Sequence, residues 1–162
     1  PLILERSKMR KIFIASDHRG FSEKQRLIAL LSQADFSPKL EVLDLGPSTL
    51  KPDDDYNDAA IAVARAVRET PESIGILICG SSHGMVIQSN RFRGIRAISG
   101  FSPELAQLGR KHNNANILCL SANLMPPNLV DAVVEAFLKT DFLPEERLIR
   151  RNQRLDEEEI HA

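Results

Sequence analysis

The sequence of 162 residues has no tryptophan, one tyrosine and only two cysteines. Cys79 and Cys119 lie far apart, with no metal-ligand spacing around them, so neither a disulfide framework nor a zinc site is expected, and a reducing cytoplasm is the default setting. No run of about 18 apolar residues occurs, which argues against a membrane span, and the apolar start at Pro1–Glu5 is too short for a signal peptide. Neither sign of charge dominates: 21 Lys plus Arg against 22 Asp plus Glu leave a net charge of −1, which gives no support to broad nucleic-acid binding. Internal repeats and low-complexity linkers are missing as well. What is present is ordinary globular material, 43% hydrophobic and 27% charged, in a length that suits one domain. Residues 1–9 read as an N-terminal extension and 10–162 as a single domain whose tail starts at about residue 144.

From Lys11 onward, short β-rich runs alternate with helical patterns. Lys11–Ser16, Leu40–Leu45, Ile74–Cys79, Ile95–Ser99 and Ile117–Ser121 read as strands. Between them lie a helix capped by Ser22 with Leu27, Ile28, Leu30 and Leu31 inward, and a helix capped by Asn57 with Ile61, Ala62, Val63, Ala66 and Val67 inward. A short helix ends near Arg91, another opens at Ser102-Pro103-Glu104, and a fifth spans Asn128–Leu138. This alternation predicts an α/β, three-layer Rossmann-like fold: a five-stranded, mostly parallel sheet, helices on both faces and a C-terminal helical tail. Ligands of such sheets bind beyond the carboxyl ends of the strands.

Three stretches near strand ends could carry chemistry. Asp17-His18 follows the first strand and could hold sugar hydroxyls or move protons, or Asp17 could simply cap local amides. Cys79-Gly80-Ser81-Ser82-His83-Gly84 follows the third strand, where a small-residue turn directs several backbone N–H groups at one point and so suits an anion. A cysteine at such a tip can serve as a base or nucleophile, although a buried, inert cysteine is the commoner case. His112-Asn113 precedes the fifth strand and is expected in a polar loop along the same sheet edge. Arg147 and Arg151, four apart on a helix, share a face that could grip one phosphate or form a solvated stripe answered by Asp156–Glu159. Asp53-Asp54-Asp55 is read as a solvated loop, with only Asp55 held back for a role; no metal site is expected.

In combination these residues resemble the ribose-5-phosphate isomerase B family, which also includes the galactose-6-phosphate isomerase subunits. The resemblance runs from about Arg10 to Arg154. It is carried by Ala15-Ser16-Asp17-His18 with Gly20, Asp55-Tyr56 with Asp58 and Ala60, and Cys79-Gly80-Ser81 with Gly84-Met85. It continues through Asn90, Gly94-Ile95-Arg96-Ala97, His112–Asn116, and Arg147 with Arg151. The resemblance implies aldose–ketose isomerisation of a phosphosugar through a cis-enediolate, without metal or cofactor, in a homodimer or dimer of dimers whose site is shared between subunits. It further implies Cys79 as the base, since Met85 stands where other members place a glutamate. Ser81 would move protons between oxygens, and Asp17 and His112 would act in sugar binding and ring opening. Asn113 would hold a hydroxyl, and His18, Arg147 and Arg151 would contact phosphate. Gly80, Ser82, His83 and Gly84 form the substrate-facing loop.

Several positions depart from the family pattern. Ser82 and His83 replace a glycine and an apolar residue or Asn; if φ is positive at Ser82, an L residue there costs on the order of 1 kcal/mol. Asn123 stands where many members have a phosphate-holding arginine, and Leu148 replaces a histidine. Interconversion of ribose 5-phosphate and ribulose 5-phosphate leads. The alternatives are another aldose phosphate, such as allose 6-phosphate or galactose 6-phosphate, and a non-catalytic phosphosugar-binding module. A nucleotide-binding domain is disfavoured by the lack of a Gly-x-Gly-x-x-Gly turn after the first strand.

Overall fold

The computed structural model describes residues 9–157, so the expected N-terminal extension up to residue 8 and the last acidic residues of the tail lie outside the described residues. Strands β1 (Arg10–Ser16), β2 (Leu40–Asp44), β3 (Ile74–Cys79), β4 (Ala97–Ser99) and β5 (Ile117–Ser121) form one sheet in the order β2-β1-β3-β5-β4. Every neighbouring pair is parallel. The helices are α1 (Phe21–Gln33), α2 (Tyr56–Glu69), α3 (His83–Ser89), α4 (Pro103–Asn113), α5 (Pro127–Lys139) and α6 (Glu146–Glu157).

The central strand explains the layering. All six residues of β3, Ile-Gly-Ile-Leu-Ile-Cys, are buried, as a strand covered on both faces requires. On one face Ile12, Ile14, Ile76, Ile78, Leu118 and Leu120 pack against α1, α4 and α5 through Leu27, Leu31, Ala106, Val130, Val133, Val134 and Phe137. On the other, Phe13, Ala15, Leu77, Ile117 and Cys119 meet Ala59, Ala60, Val63, Ala64 and Val67 of α2 and Met85 of α3. Each large aliphatic side chain buried this way contributes roughly 1.5–3 kcal/mol. Gly75 allows α2 to approach closely, because a Cβ there would lie 2.6 Å from Val63 Cγ1.

From β1 the chain moves outward to β2, then returns past β1 to β3. This reversal opens a crevice between the carboxyl ends of β1 and β3, where such sheets bind ligands. The tail α6 docks elsewhere. Its only buried residues, Leu148 and Asn152, face α4, and Asn152 Nδ2 donates to the carbonyl of His112 at 3.0 Å. Leu148 is buried as an anchor, which accounts for an apolar residue at that position. Arg96 Nη1 reaches both carboxylate oxygens of Asp156, at 2.8 and 2.9 Å, and holds the far end of the tail.

Several local expectations are corrected. Ser22 does not cap α1: Gly20 occupies the cap with no side-chain bond, and Asp17 Oδ1 instead accepts from the amides of Arg19 and Gly20 at 2.9 and 3.1 Å. Asn57 lies inside α2, with Asp55 at its cap, and donates from Nδ2 to Gln88 Oε1 at 2.8 Å. Leu30 is exposed, whereas Lys24, one turn before Leu27 on the inward face, is fully buried with Nζ 3.0 Å from Asp44. Along α2 the inward face is rotated, so Ala60 and Ala64 are buried and Ile61 and Ala62 only partly. Strand β4 starts two residues later than expected, at Ala97. Ser102 caps α4 as the sequence indicates, accepting from the Leu105 amide at 3.1 Å with Pro103 at the first helical position.

Candidate active site

Strand register brings the first two candidate stretches together. Ser16 pairs with Ile78, and the amide of Asp17 donates to the Ile78 carbonyl at 3.2 Å, which sets Asp17 directly beside Cys79. Gly20 is needed for this crossing, since a Cβ there would lie 2.5 Å from the Ile78 carbonyl oxygen. On the other side, Cys79 pairs with Ser121, whose Oγ donates to the Gly80 carbonyl at 2.6 Å. The tip of β3 is thus held from both flanks.

The turn that follows is tight. Ser82 adopts φ 72° and ψ −22°, a left-handed conformation that favours glycine, so the strain foreseen for Ser82 is present. That geometry aims the Ser82 amide at Cys79 Sγ, 3.2 Å away. A negative charge on sulfur would therefore be met by a backbone donor. The Ser82 side chain is buried and its hydroxyl lies 2.7 Å from Ser99 Oγ at the end of β4. Ser82 thus contributes its backbone to the turn while its side chain is turned inward toward Ser99. Ser81 and His83 are exposed, and Gly84 lies against the Tyr56 ring, where a Cβ would be 2.7 Å from two ring carbons. Tyr56, singled out only through the resemblance, thus packs its ring on the turn at Gly84.

His18 is oriented by a partner the sequence reading passed over. Asp54 Oδ1 accepts from the His18 amide at 2.8 Å and lies 2.9 Å from Nδ1. A carboxylate only accepts, so Nδ1 carries a proton toward Asp54. Asp54 is therefore the member of the aspartate run that orients His18, while Asp55 stands at the cap of α2.

The two cysteines are separated by depth. Cys79 is 5% exposed at the strand tip, whereas Cys119 is fully buried and its thiol is pushed up well above the usual range by desolvation and by the nearby Cys79.

His112 and Asn113 are not on this edge. They form the last turn of α4, exposed, just before β5, and therefore sit at the amino ends of the strands. The expectation of a polar loop on the same edge is corrected: in a parallel sheet the residues before a strand and those after it lie at opposite ends. Arg147 and Arg151 belong to α6, which is docked on the same end of α4; both are exposed, and Arg147 pairs with Glu145 at 2.8 Å. The structure thus divides the candidate residues into two sets. Asp17, His18 and Cys79–Gly84 cluster at the carboxyl edge, and His112, Asn113, Arg147 and Arg151 lie at the amino edge. A cavity of about 770 Å³ also opens at the amino edge between Arg68, Arg96, Arg110 and Asn116. Its lining offers hydrogen-bond donors together with the carboxylate of Glu72.

The sequence profile of the ribose/galactose isomerase family matches residues 12–156. The chain belongs to that family. A probable ribose-5-phosphate isomerase B from Mycoplasma pneumoniae is 41% identical over 131 residues, covering 81% of this chain and 84% of the relative. Among solved structures, the type B ribose 5-phosphate isomerase of Trypanosoma brucei superposes with a TM-score of 0.86 at 34% identity, over 92% of this chain and 98% of that one. The Mycoplasma genitalium ribose-5-phosphate isomerase B, solved with bound ribulose-5-phosphate, gives 0.83 at 35% identity over 91% and 95% of the two chains. Membership of the ribose/galactose isomerase family makes the chain an enzyme of the aldose–ketose isomerase class. No helix among the described residues is long and apolar enough to cross a membrane.

Proposed function

We propose that the chain interconverts ribose 5-phosphate and ribulose 5-phosphate, with Cys79 as the base. One observation carries this reading: a cysteine at the tip of the central strand, beside Asp17, with the Ser82 amide 3.2 Å from its sulfur. In the open-chain aldose, Cys79 Sγ takes the proton from C2 and returns it to C1. Ser81 Oγ carries the hydroxyl proton from O2 to O1, which converts one carbonyl into the other through the enediolate. Backbone amides of the Gly80–Gly84 turn meet the developing oxyanion, each such donor being worth about 3 kcal/mol.

His112 and Asn113 cannot join this cleft within one copy of the chain, because they lie at the opposite strand ends. The reading therefore places them, with Arg147 and Arg151, in the cleft of a second copy, where His112 assists ring opening, Asn113 holds a hydroxyl and the arginines approach the phosphate. The active unit is then a homodimer or a multiple of one.

The test is turnover of ribose 5-phosphate by the chain and by Cys79→Ala, with allose 6-phosphate assayed in parallel. Loss of a positioned base is expected to lower kcat by about a thousandfold with the fold intact by circular dichroism. A variant that keeps most of its activity refutes the base assignment. Turnover confined to the six-carbon sugar keeps the mechanism and changes the substrate.

A further inference from the structure

Gly80 marks a convergence that the isomerase reading leaves unused. A Cβ on Gly80 would lie 2.9 Å from Arg19 Cδ, 3.7 Å from Arg19 Nε and 3.0 Å from Asn123 Nδ2. Two donor side chains, one from the turn after β1 and one from the turn after β5, therefore meet over the tip of β3, in the space beside the Gly80 Cα. The register makes this possible, since β3 lies between β1 and β5. Asn123 is held there by its amide, which donates to the Gly80 carbonyl at 3.2 Å.

Arg19 is exposed, and among the described residues its guanidinium has no ion-pair or hydrogen-bond partner. The nearby carboxylates are committed elsewhere: Asp17 accepts from the amides of Arg19 and Gly20, and Asp54 is engaged by His18. Among the other cations, Lys51 lines a neighbouring pocket with Ser16, Pro47 and Asp54 that Gly80, Arg19 and Asn123 do not line. Lys24 is buried against Asp44, and Arg147 and Arg151 belong to the amino edge. The cleft that holds Cys79 thus carries one unneutralised guanidinium with an amide donor beside it. A guanidinium offers planar, paired N–H donors that match phosphate oxygens, and the bonds are charge-assisted.

Resting on the proposed isomerase reading, we propose that Arg19 and Asn123 are the grip for the substrate's phosphate monoester contributed by the same copy that carries Cys79. Arg19 supplies the charge and Asn123 a neutral donor. The grip positions the sugar without touching the carbon that loses its proton, so its loss falls on binding.

The experiment measures ribose 5-phosphate kinetics and inhibition by inorganic phosphate in the wild-type chain, Arg19→Ala, Arg19→Lys and Lys139→Ala. Arg19→Ala is expected to raise KM by about tenfold or more, with kcat within about threefold and the inhibition constant for phosphate rising in step. Arg19→Lys should recover part of the loss, and Lys139→Ala, which removes a positive charge from α5, should match the wild type. An unchanged KM and inhibition constant in Arg19→Ala overturns the grip while leaving the isomerase intact. If the wild type turns over neither sugar, the isomerase reading fails and the grip is judged by thermal shift with inorganic phosphate alone. A phosphate-induced rise in Tm that Arg19→Ala loses supports the grip; an equal rise in both, or none in either, overturns it.

Discussion

Ser82 shows how one residue balances two terms. Its left-handed backbone costs on the order of 1 kcal/mol relative to glycine, while its bond to Ser99 Oγ contributes a similar amount. Ser82→Gly should therefore change stability little, whereas Ser82→Ala keeps the strain, loses the bond and is expected to cost about 1–2 kcal/mol, as read by urea denaturation. The cysteines invite a chemical test. Cys119 is fully buried and burial pushes its thiol up, so it forms almost no thiolate at neutral pH. Iodoacetamide should label Cys79 first, with activity falling in proportion, and reach Cys119 only on unfolding; peptide mass spectrometry reads the order. Ser81, Asp17 and Cys79 are legible as a group in the sequence because each lies at or just beyond the carboxyl end of a strand. Asp54 is not, because its role depends on a loop folding back over His18.

At the scale of the element, the fold depends on close approaches that leave little slack. Gly20 lets the turn after β1 cross β3, and Gly20→Ala would put a methyl 2.5 Å from the Ile78 carbonyl oxygen. Expression of that variant should yield protein destabilised by about 3 kcal/mol or more, measured by denaturation. The tail depends on Leu148 and Asn152 for its contact with α4. Leu148→Ala is expected to cost about 2–4 kcal/mol if α6 melts with the domain, and far less if the tail frays alone, which hydrogen exchange along 146–157 distinguishes. Element identities were largely readable, since short continuous apolar runs and helical stripes alternate cleanly. Caps and inward faces were less so, because Ser22 and Asn57 have capping chemistry but lie just inside helices whose starts are set by tertiary contacts.

For the whole molecule, the division of candidate residues between two sheet edges predicts how damaged copies should combine. Cys79→Ala and His112→Ala, each inactive alone, leave one intact cleft in a mixed dimer. An equimolar mixture, unfolded and refolded together, should recover about a quarter of wild-type activity, because half the dimers are mixed and each has one working site. A mixture as inactive as its parents would mean that one copy supplies both residues of each cleft. The sequence by itself determined the parallel α/β sheet and the edge that carries Asp17 and Cys79, because strand and helix periodicity is written in neighbouring residues, whereas the φ problem at Ser82 was implied only by the resemblance to a family with glycine there. That His112 lies at the amino edge follows from strand polarity, yet polarity matters only once β5 is known to run parallel to β3. The tertiary structure alone decided which distant loops meet: Arg19 and Asn123 over Gly80, Asp54 on His18, Asp156 on Arg96. Those pairings depend on strand order, and strand order results from how the helices cover both faces of the sheet, which no local stretch of sequence encodes.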